Sequence, residues 1–164
     1  MSEREHTEGQ RAGARHSAPG GAVELRWTTA PAELEAALAL RAAVFVCEQR
    51  VPREEELDGR DGDALHLIAL ARGSAEVVGT LRLLLEGEAA KIGRVAVARG
   101  HRRRGIAASM LELALEQARA SGASRARLAA QIEALELYRR AGFAVESEPF
   151  QEAGIEHVWM GRAL

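Results

Sequence analysis

Apolar and polar residues alternate along some stretches of the chain and recur at helical spacing along others, and these two periods divide it into elements. Val23 to Trp27 alternates as a first strand. Thr29-Ala30-Pro31 then reads as a helix entry, since proline is tolerated in the first turn. The helix is predicted to run to about Gln49 with an apolar stripe of Leu34, Leu38, Ala42 and Phe45. Leu65 to Ala71, Val77 to Leu85 and Ala89 to Val97 are strand-like runs. Short turns at Gly73-Ser74-Ala75 and Glu86-Gly87-Glu88 separate them, which predicts an antiparallel meander.

From Arg104 to about Ser121, the residues Ile106, Met110, Leu113, Ala114 and Ala118 fall at helical spacing, and Gly122 stands where a helix C-terminus favours glycine. Arg125 to Gln131 is a further strand and Glu133 to Ala141 a short helix stopped at Gly142. Phe143 to Val145 and His157 to Arg162 close the pattern as strands. Strand, helix and strand between Ile92 and Gln131 make a crossover unit, so its strands are predicted to be parallel neighbours. The expected class is α/β: a mixed central sheet, antiparallel at its start and parallel at its centre, flanked by helices.

Residues 1–21 show no apolar period and are predicted to be a disordered tail, leaving one domain over residues 22–164, a size that suits a single core. Arg50 to Asp63 carries Pro52, Glu54-Glu55-Glu56, Asp58 and Asp61 with interspersed glycines. It reads as a long acidic loop, either a solvated charge run or a functional segment. On the first helix, Arg41 and Glu48 fall on the same side as Phe45. A charge there needs a partner, which either a rim ion pair or a pocket-lining role supplies.

Composition narrows the partners. Apolar residues make up 47% and charged residues 28% of the chain, with a formal net charge of −2, so there is no global attraction to nucleic acid or an anionic membrane. Cys47 is the sole cysteine and no Cys/His spacing resembles a zinc site, so neither a disulfide nor a metal is expected. With no secretory h-region and no apolar run of about 20 residues, a cytoplasmic location is expected. Lys91 is the only lysine among many arginines, so a single arginine carries little weight as a site marker.

The chemistry concentrates where Lys91-Ile-Gly-Arg-Val-Ala-Val97 runs into Ala98-Arg-Gly-His-Arg-Arg-Arg-Gly105 and then a helix. A loop bending into a helix N-terminus offers free N–H groups and partial positive charge to an anion. Gly105 and the small Ala107 let a phosphate approach, and Arg102, Arg103 and Arg104 add charge. A nucleic-acid patch is the weaker reading, because the basic run is short and lacks interleaved aromatics. Neither a dinucleotide fingerprint nor a Walker loop is present.

Arg102-x-x-Gly105-x-Ala107 resembles the R/Q-x-x-G-x-G/A element of the GNAT superfamily of N-acetyltransferases. Downstream, Gln131-Ile-Glu-Ala134-Leu-Glu-Leu-Tyr138-Arg-Arg-Ala-Gly142-Phe143 resembles the N-x-x-A-x-x-x-Y-x-x-x-G-F segment of the same family, with Gln131 in place of the common asparagine. The resemblance covers residues 23 to 162. It implies an acetyl-CoA-dependent enzyme whose pyrophosphate lies on the loop Arg102, Arg103, Arg104, Gly105, Ile106 and Ala107. The pantetheine would pair with Val95, Ala96 and Val97, a backbone N–H near Val97 would polarise the acyl carbonyl, and Gln131 would stand beside the cofactor. Tyr138 would protonate the departing thiolate, chemistry a nearby phenol suits. Periodicity alone leaves Tyr138 a core residue, because Ala134, Tyr138 and Ala141 share a helical face. Cys47 has no histidine beside it in sequence and reads as a small buried hydrophobe rather than an acyl carrier.

The first half resembles the ElaA-like branch. Arg41-x-x-Val44-Phe45-Val46-x-Glu48-Gln49, Glu56-x-Asp58, His66 and Gly154-Ile155-Glu156-His157 stand where that branch carries R-x-x-V-F-V-x-E-Q, E-x-D, H and G-I-P-H. This implies an acceptor wall of Arg41, Phe45, Glu48, His66 and His157. A general base would come from Glu48, His66, Glu152 or His157, with the choice open. The expected function is acetyl transfer to a primary amine of a small molecule or peptide by direct attack in a ternary complex. A non-catalytic acyl-CoA sensor on the same scaffold is the alternative, and a homodimer is left open. Neither nucleic acid nor membrane is an expected partner.

Overall fold

The computed structural model of the chain describes residues 16–17 and 21–164. In order these form β1 (His16–Ser17), β2 (Val23–Trp27), α1 (Pro31–Arg41), α2 (Arg53–Glu56), β3 (Leu65–Ala71), β4 (Val77–Glu86) and β5 (Ala89–Val97). There follow α3 (Ile106–Ala120), β6 (Arg125–Gln131), α4 (Leu135–Arg140), β7 (Ala144–Val145), β8 (Phe150–Glu152) and β9 (Ile155–Ala163). One sheet runs β1-β2-β3-β4-β5-β6-β9-β7, with β8 paired to β9. The predicted tail lies mostly outside the described residues; within it, His16 and Ser17 pair antiparallel with Leu25 and Glu24.

Short turns dictate the antiparallel meander β3-β4-β5, and the α3 crossover makes β5 and β6 parallel. Strand alternation then sorts side chains onto two faces. Leu67, Ala69, Leu81, Leu83, Ile92 and Leu128 turn towards α3 and build the main core with Met110, Leu111 and Ala114. On the other face, Ala37 of α1 packs on Ile68 and Leu70, while Leu40 and Val44 pack on Ala96. Gly79 allows a close approach: a Cβ there would come within 3.1 Å of both Ala69 Cβ and Ile106 Cγ2, so glycine lets the first turn of α3 rest on the sheet.

Three expectations need correcting. The first helix changes character after Arg41, continuing as a π-helical turn over Ala42–Glu48, and its core face is Ala37, Leu40, Arg41 and Val44 rather than Leu34, Leu38, Ala42 and Phe45. Arg41 can enter the core because carboxylates neutralise it there. The acidic stretch is no simple loop, since it contains α2 and turns Glu56 inward to 4% exposure. Finally, β8 lacked a period long enough to read. No helix among the described residues is long and apolar enough to cross a membrane.

Candidate active site

The site begins with a failure of strand pairing. β5 and β6 pair only where Ala89, Ala90 and Lys91 meet Arg125, Ala126 and Arg127. Beyond that point the edge of β5 that would continue along β6 is left without a strand, and a cavity of about 690 Å³ opens between Val95–Val97 and Leu128–Gln131. Just below, the β4–β5 register slips, with Thr80 opposite Ala96 but Arg82 opposite Gly93, so β5 carries an extra residue. Arg94 sits in this bulge at φ 50°, a left-handed conformation that costs about 1–2 kcal/mol for a residue with a Cβ. Its guanidinium anchors the bulge, donating to the Glu56 carbonyl at 3.0 Å and the Glu55 carbonyl at 3.3 Å.

Where β5 ends, the chain turns through Arg103 (φ 61°) and Gly105 (φ 77°) into α3. No side chain caps α3, and its first turn holds no acidic residue, so its opening N–H groups remain available donors. A Cβ on Gly105 would meet nothing within 4 Å. Glycine is needed there for the backbone angle, and the space above the loop is open, as an approaching phosphate requires. Arg102 reaches back into the cavity wall: Nε donates to the Val97 carbonyl at 2.9 Å and Nη2 to Glu48 Oε2 at 2.8 Å. Ala107 also lines the cavity, Ile106 is buried beneath the loop, and Arg103 and Arg104 are exposed on it.

Opposite the free edge of β5 stands Tyr138, from α4. It packs edge-on to Phe143 at 6.4 Å and lines the cavity at 8% exposure. Burial pushes its phenol up to about 12, so it holds its proton throughout the neutral range. Gln131, at the end of β6, donates to Gln49 Oε1 at 2.9 Å and receives a longer bond of 3.4 Å in return, linking the π-helical turn to the far strand. His157 lies beside Gln131 in register. The Ile155 carbonyl, 2.7 Å from His157 Nδ1, can only accept, so Nδ1 donates to it, while Nε2 lies 3.8 Å from Glu152 Oε2. Phe45 completes this wall from the π-helical turn.

The lower wall is charged. Arg41 donates to Glu56 at 2.5 Å and to Asp61 at 2.7 Å, and Arg82 makes paired bonds of 2.7 Å to the Asp58 carboxylate and a longer one of 3.2 Å to Asp61. Hydrogen bonds and charge from Arg82, joined by the Arg60 amide and Arg94, hold Asp58 well below the usual carboxylate range. For Asp61, burial opposes ionisation, yet the Arg41 and Arg82 contacts outweigh it and lower its pKa. Arg94 is shifted down by burial and by its neighbour Arg82. Arg41 and His66 lie behind the cavity wall, His66 with Nε2 2.9 Å from the Asp61 carbonyl. Glu48 holds Arg102 instead of facing the cavity, and Cys47, expected to be a buried hydrophobe, is exposed, because the π-helical turn directs Val44 inward and leaves Cys47 on its outer side.

Sequence reasoning missed Arg94, Gln49, Lys91 and Trp159 as wall residues. Arg94 left no signal, because a bulge has no sequence mark of its own. Lys91 was visible as the lone lysine and Trp159 as a large aromatic in a predicted strand, but their convergence depends on the sheet order.

A mixed sheet parted between two parallel strands, with an uncapped helix entry beside the gap, defines an acyltransferase of the GNAT type. Residues 32–164 match the family model described as acetyltransferase (GNAT) domain. An uncharacterized N-acetyltransferase, YjcF of Bacillus subtilis, is 36% identical over 130 residues, covering 78% of this chain and 91% of the relative. The solved structure of Escherichia coli ElaA superposes with a TM-score of 0.76 at 29% identity, covering 85% of this chain and 99% of ElaA. An acyl-CoA N-acyltransferase from Pseudomonas aeruginosa gives 0.74 at 34% identity, covering 85% and 99%. The chain belongs to the GNAT acetyltransferase family, in its ElaA-like branch.

Proposed function

We propose that this protein is an acetyl-CoA-dependent N-acetyltransferase acting on a primary amine of a small molecule or peptide by direct transfer in a ternary complex. The observation that carries the reading is the buried Tyr138, which lines the same cavity as the edge of Val95–Val97 that β6 leaves without a strand. Bound acetyl-CoA supplies an activated acyl thioester. The uncapped amides of α3 with Arg102, Arg103 and Arg104 would hold its pyrophosphate, and the open space over Gly105 fits that group. The unpaired edge of Val95, Ala96 and Val97 would take the pantetheine as a strand neighbour and polarise the acyl carbonyl, with Gln131 alongside.

Tyr138 donates a hydrogen bond, and with it a proton, as charge develops on the leaving sulfur, and burial keeps its phenol protonated at neutral pH. His157 Nε2 is the favoured acceptor for the amine proton. Glu48 is committed to Arg102, and His66 lies behind the wall with one nitrogen against the Asp61 carbonyl. Glu48 thereby positions the loop rather than the proton.

Saturating acetyl-CoA should raise the thermal midpoint by several degrees, since a ligand at 100 times its Kd adds about 2.7 kcal/mol. An unchanged midpoint contradicts the proposal. Tyr138→Phe should lower kcat by about 100-fold, the low end for loss of general acid catalysis, while leaving the KM for acetyl-CoA near its original value. An unchanged kcat would remove Tyr138 from the chemistry.

A further inference from the structure

Beyond the thioester site, the cavity continues along the sheet face that α1 covers over β3 to β5, and it reaches Lys91, Trp159 and His157. Lys91 and Arg127 are register partners on the parallel strands, so their side chains leave the same face side by side. Both converge on one ring: Lys91 Nζ lies 5.5 Å and Arg127 Cζ 4.2 Å from the Trp159 centroid. Neither cation has a carboxylate partner among the described residues, whereas Arg41, Arg82 and Arg94 each meet at least one. Like charges placed opposite each other in a sheet repel, and the ring's π face offsets only part of that repulsion. An anion between them would balance the pair.

The same face supplies the rest of a binding surface. Phe150 stacks on Trp159 at 5.7 Å and on His157 at 5.9 Å, bracing both rings from β8. His157 lies two residues from Trp159 along β9, a rise of about 7 Å. The cations thus mark one end of this aromatic wall, and Nε2 of His157 marks the other.

We infer that the acceptor is an amine bearing a second, anionic group, a carboxylate or phosphate, several bonds from its nitrogen. Lys91 and Arg127 hold the anion and Trp159 carries the body between. This rests on the transferase reading above and names the acceptor class of that site. Arg127 pairs in register with Gly161, four residues along β9 from His157, a rise of about 13 Å, which is more than an α-amino acid, whose amine and carboxylate share one carbon, can span. Glu54 and Glu55 at the exposed rim would favour a polycation instead, but exposed carboxylates are screened by salt, whereas Lys91 is partly buried.

The test compares kcat/KM for three acceptors, 4-(2-aminoethyl)benzoate, 2-phenylethylamine and spermidine, in the wild type, Lys91→Met and Lys91→Arg. Stabilisation by acetyl-CoA confirms that each variant is folded. The wild type should favour the benzoate over phenylethylamine by about tenfold or more, the factor for one charge-assisted contact. Lys91→Met should collapse that ratio through a higher KM for the benzoate, and Lys91→Arg should restore it. A ratio unmoved by Lys91→Met, or a wild-type preference for phenylethylamine or spermidine, overturns the inference and leaves the transferase reading standing. Acetyl-CoA binding without transfer to any of the three overturns both.

Discussion

Two clusters of cations flank the cavity, and they are treated in opposite ways. Arg41, Arg82 and Arg94 are enclosed by Glu56, Asp58 and Asp61, contributed by α2 and the segment after it. Lys91 and Arg127, on the far side, share an aromatic ring and have no carboxylate partner among the described residues. A buried charge without a partner is too costly to keep, so the first cluster is architecture: it pins the acidic segment and the Arg94 bulge against the sheet. In the second, Lys91 lines the cavity while Arg127 is exposed to solvent beside it, so the pair can tolerate its imbalance until a ligand arrives. Similar residues therefore do structural work in one place and recognition in the other.

Breaking the first cluster should have the largest effect. Arg41→Met leaves Glu56 buried without its closest partner and is expected to cost about 3–5 kcal/mol, read as a lower urea midpoint at constant m. Adding Glu56→Leu should recover part of that loss, because a packed apolar pair removes the stranded charge. If Arg41→Met shifts the midpoint by no more than an ordinary surface substitution, the cluster is not structural.

Acid should act on the same cluster more gradually. Asp58 and Asp61 have folded-state pKa values below their unfolded ones. Their contribution is therefore fully present above the ordinary carboxylate pKa of about 4 and is lost as pH falls through the folded values. Asp58→Asn should lower stability at neutral pH and flatten the acid limb of the stability profile; a limb of unchanged steepness would clear Asp58 of that role.

The smallest expected change is at the second cluster. Lys91→Met without ligand should shift stability by less than about 0.5 kcal/mol, as surface substitutions do, with relief of repulsion favouring a slight gain. A loss comparable to that of Arg41→Met would show that the two clusters do not differ in kind.

The contrast also explains what could be read in advance. The β3–β5 meander, the α3 crossover and the Gly105 turn follow from local signals, period and glycine placement, and the structure bears them out. Arg41 was legible as a charge in need of a partner on the first helix, but not as part of its core face, because Glu56 and Asp61, which neutralise it there, lie 15 and 20 positions away. Glu48, expected to find either an ion pair or a place in the pocket wall, is held by Arg102, 54 positions on. Charges recruited across such distances leave no periodic trace. For the same reason Lys91, Arg127 and Trp159 could be seen singly but not together.

The most direct test of the central claim is a time course of thiol release from saturating acetyl-CoA, with and without a primary amine. The account predicts release that depends on the amine, is slowed about 100-fold by Tyr138→Phe and shows no burst when the amine is omitted. A stoichiometric burst without amine, or no release with any amine, would contradict it.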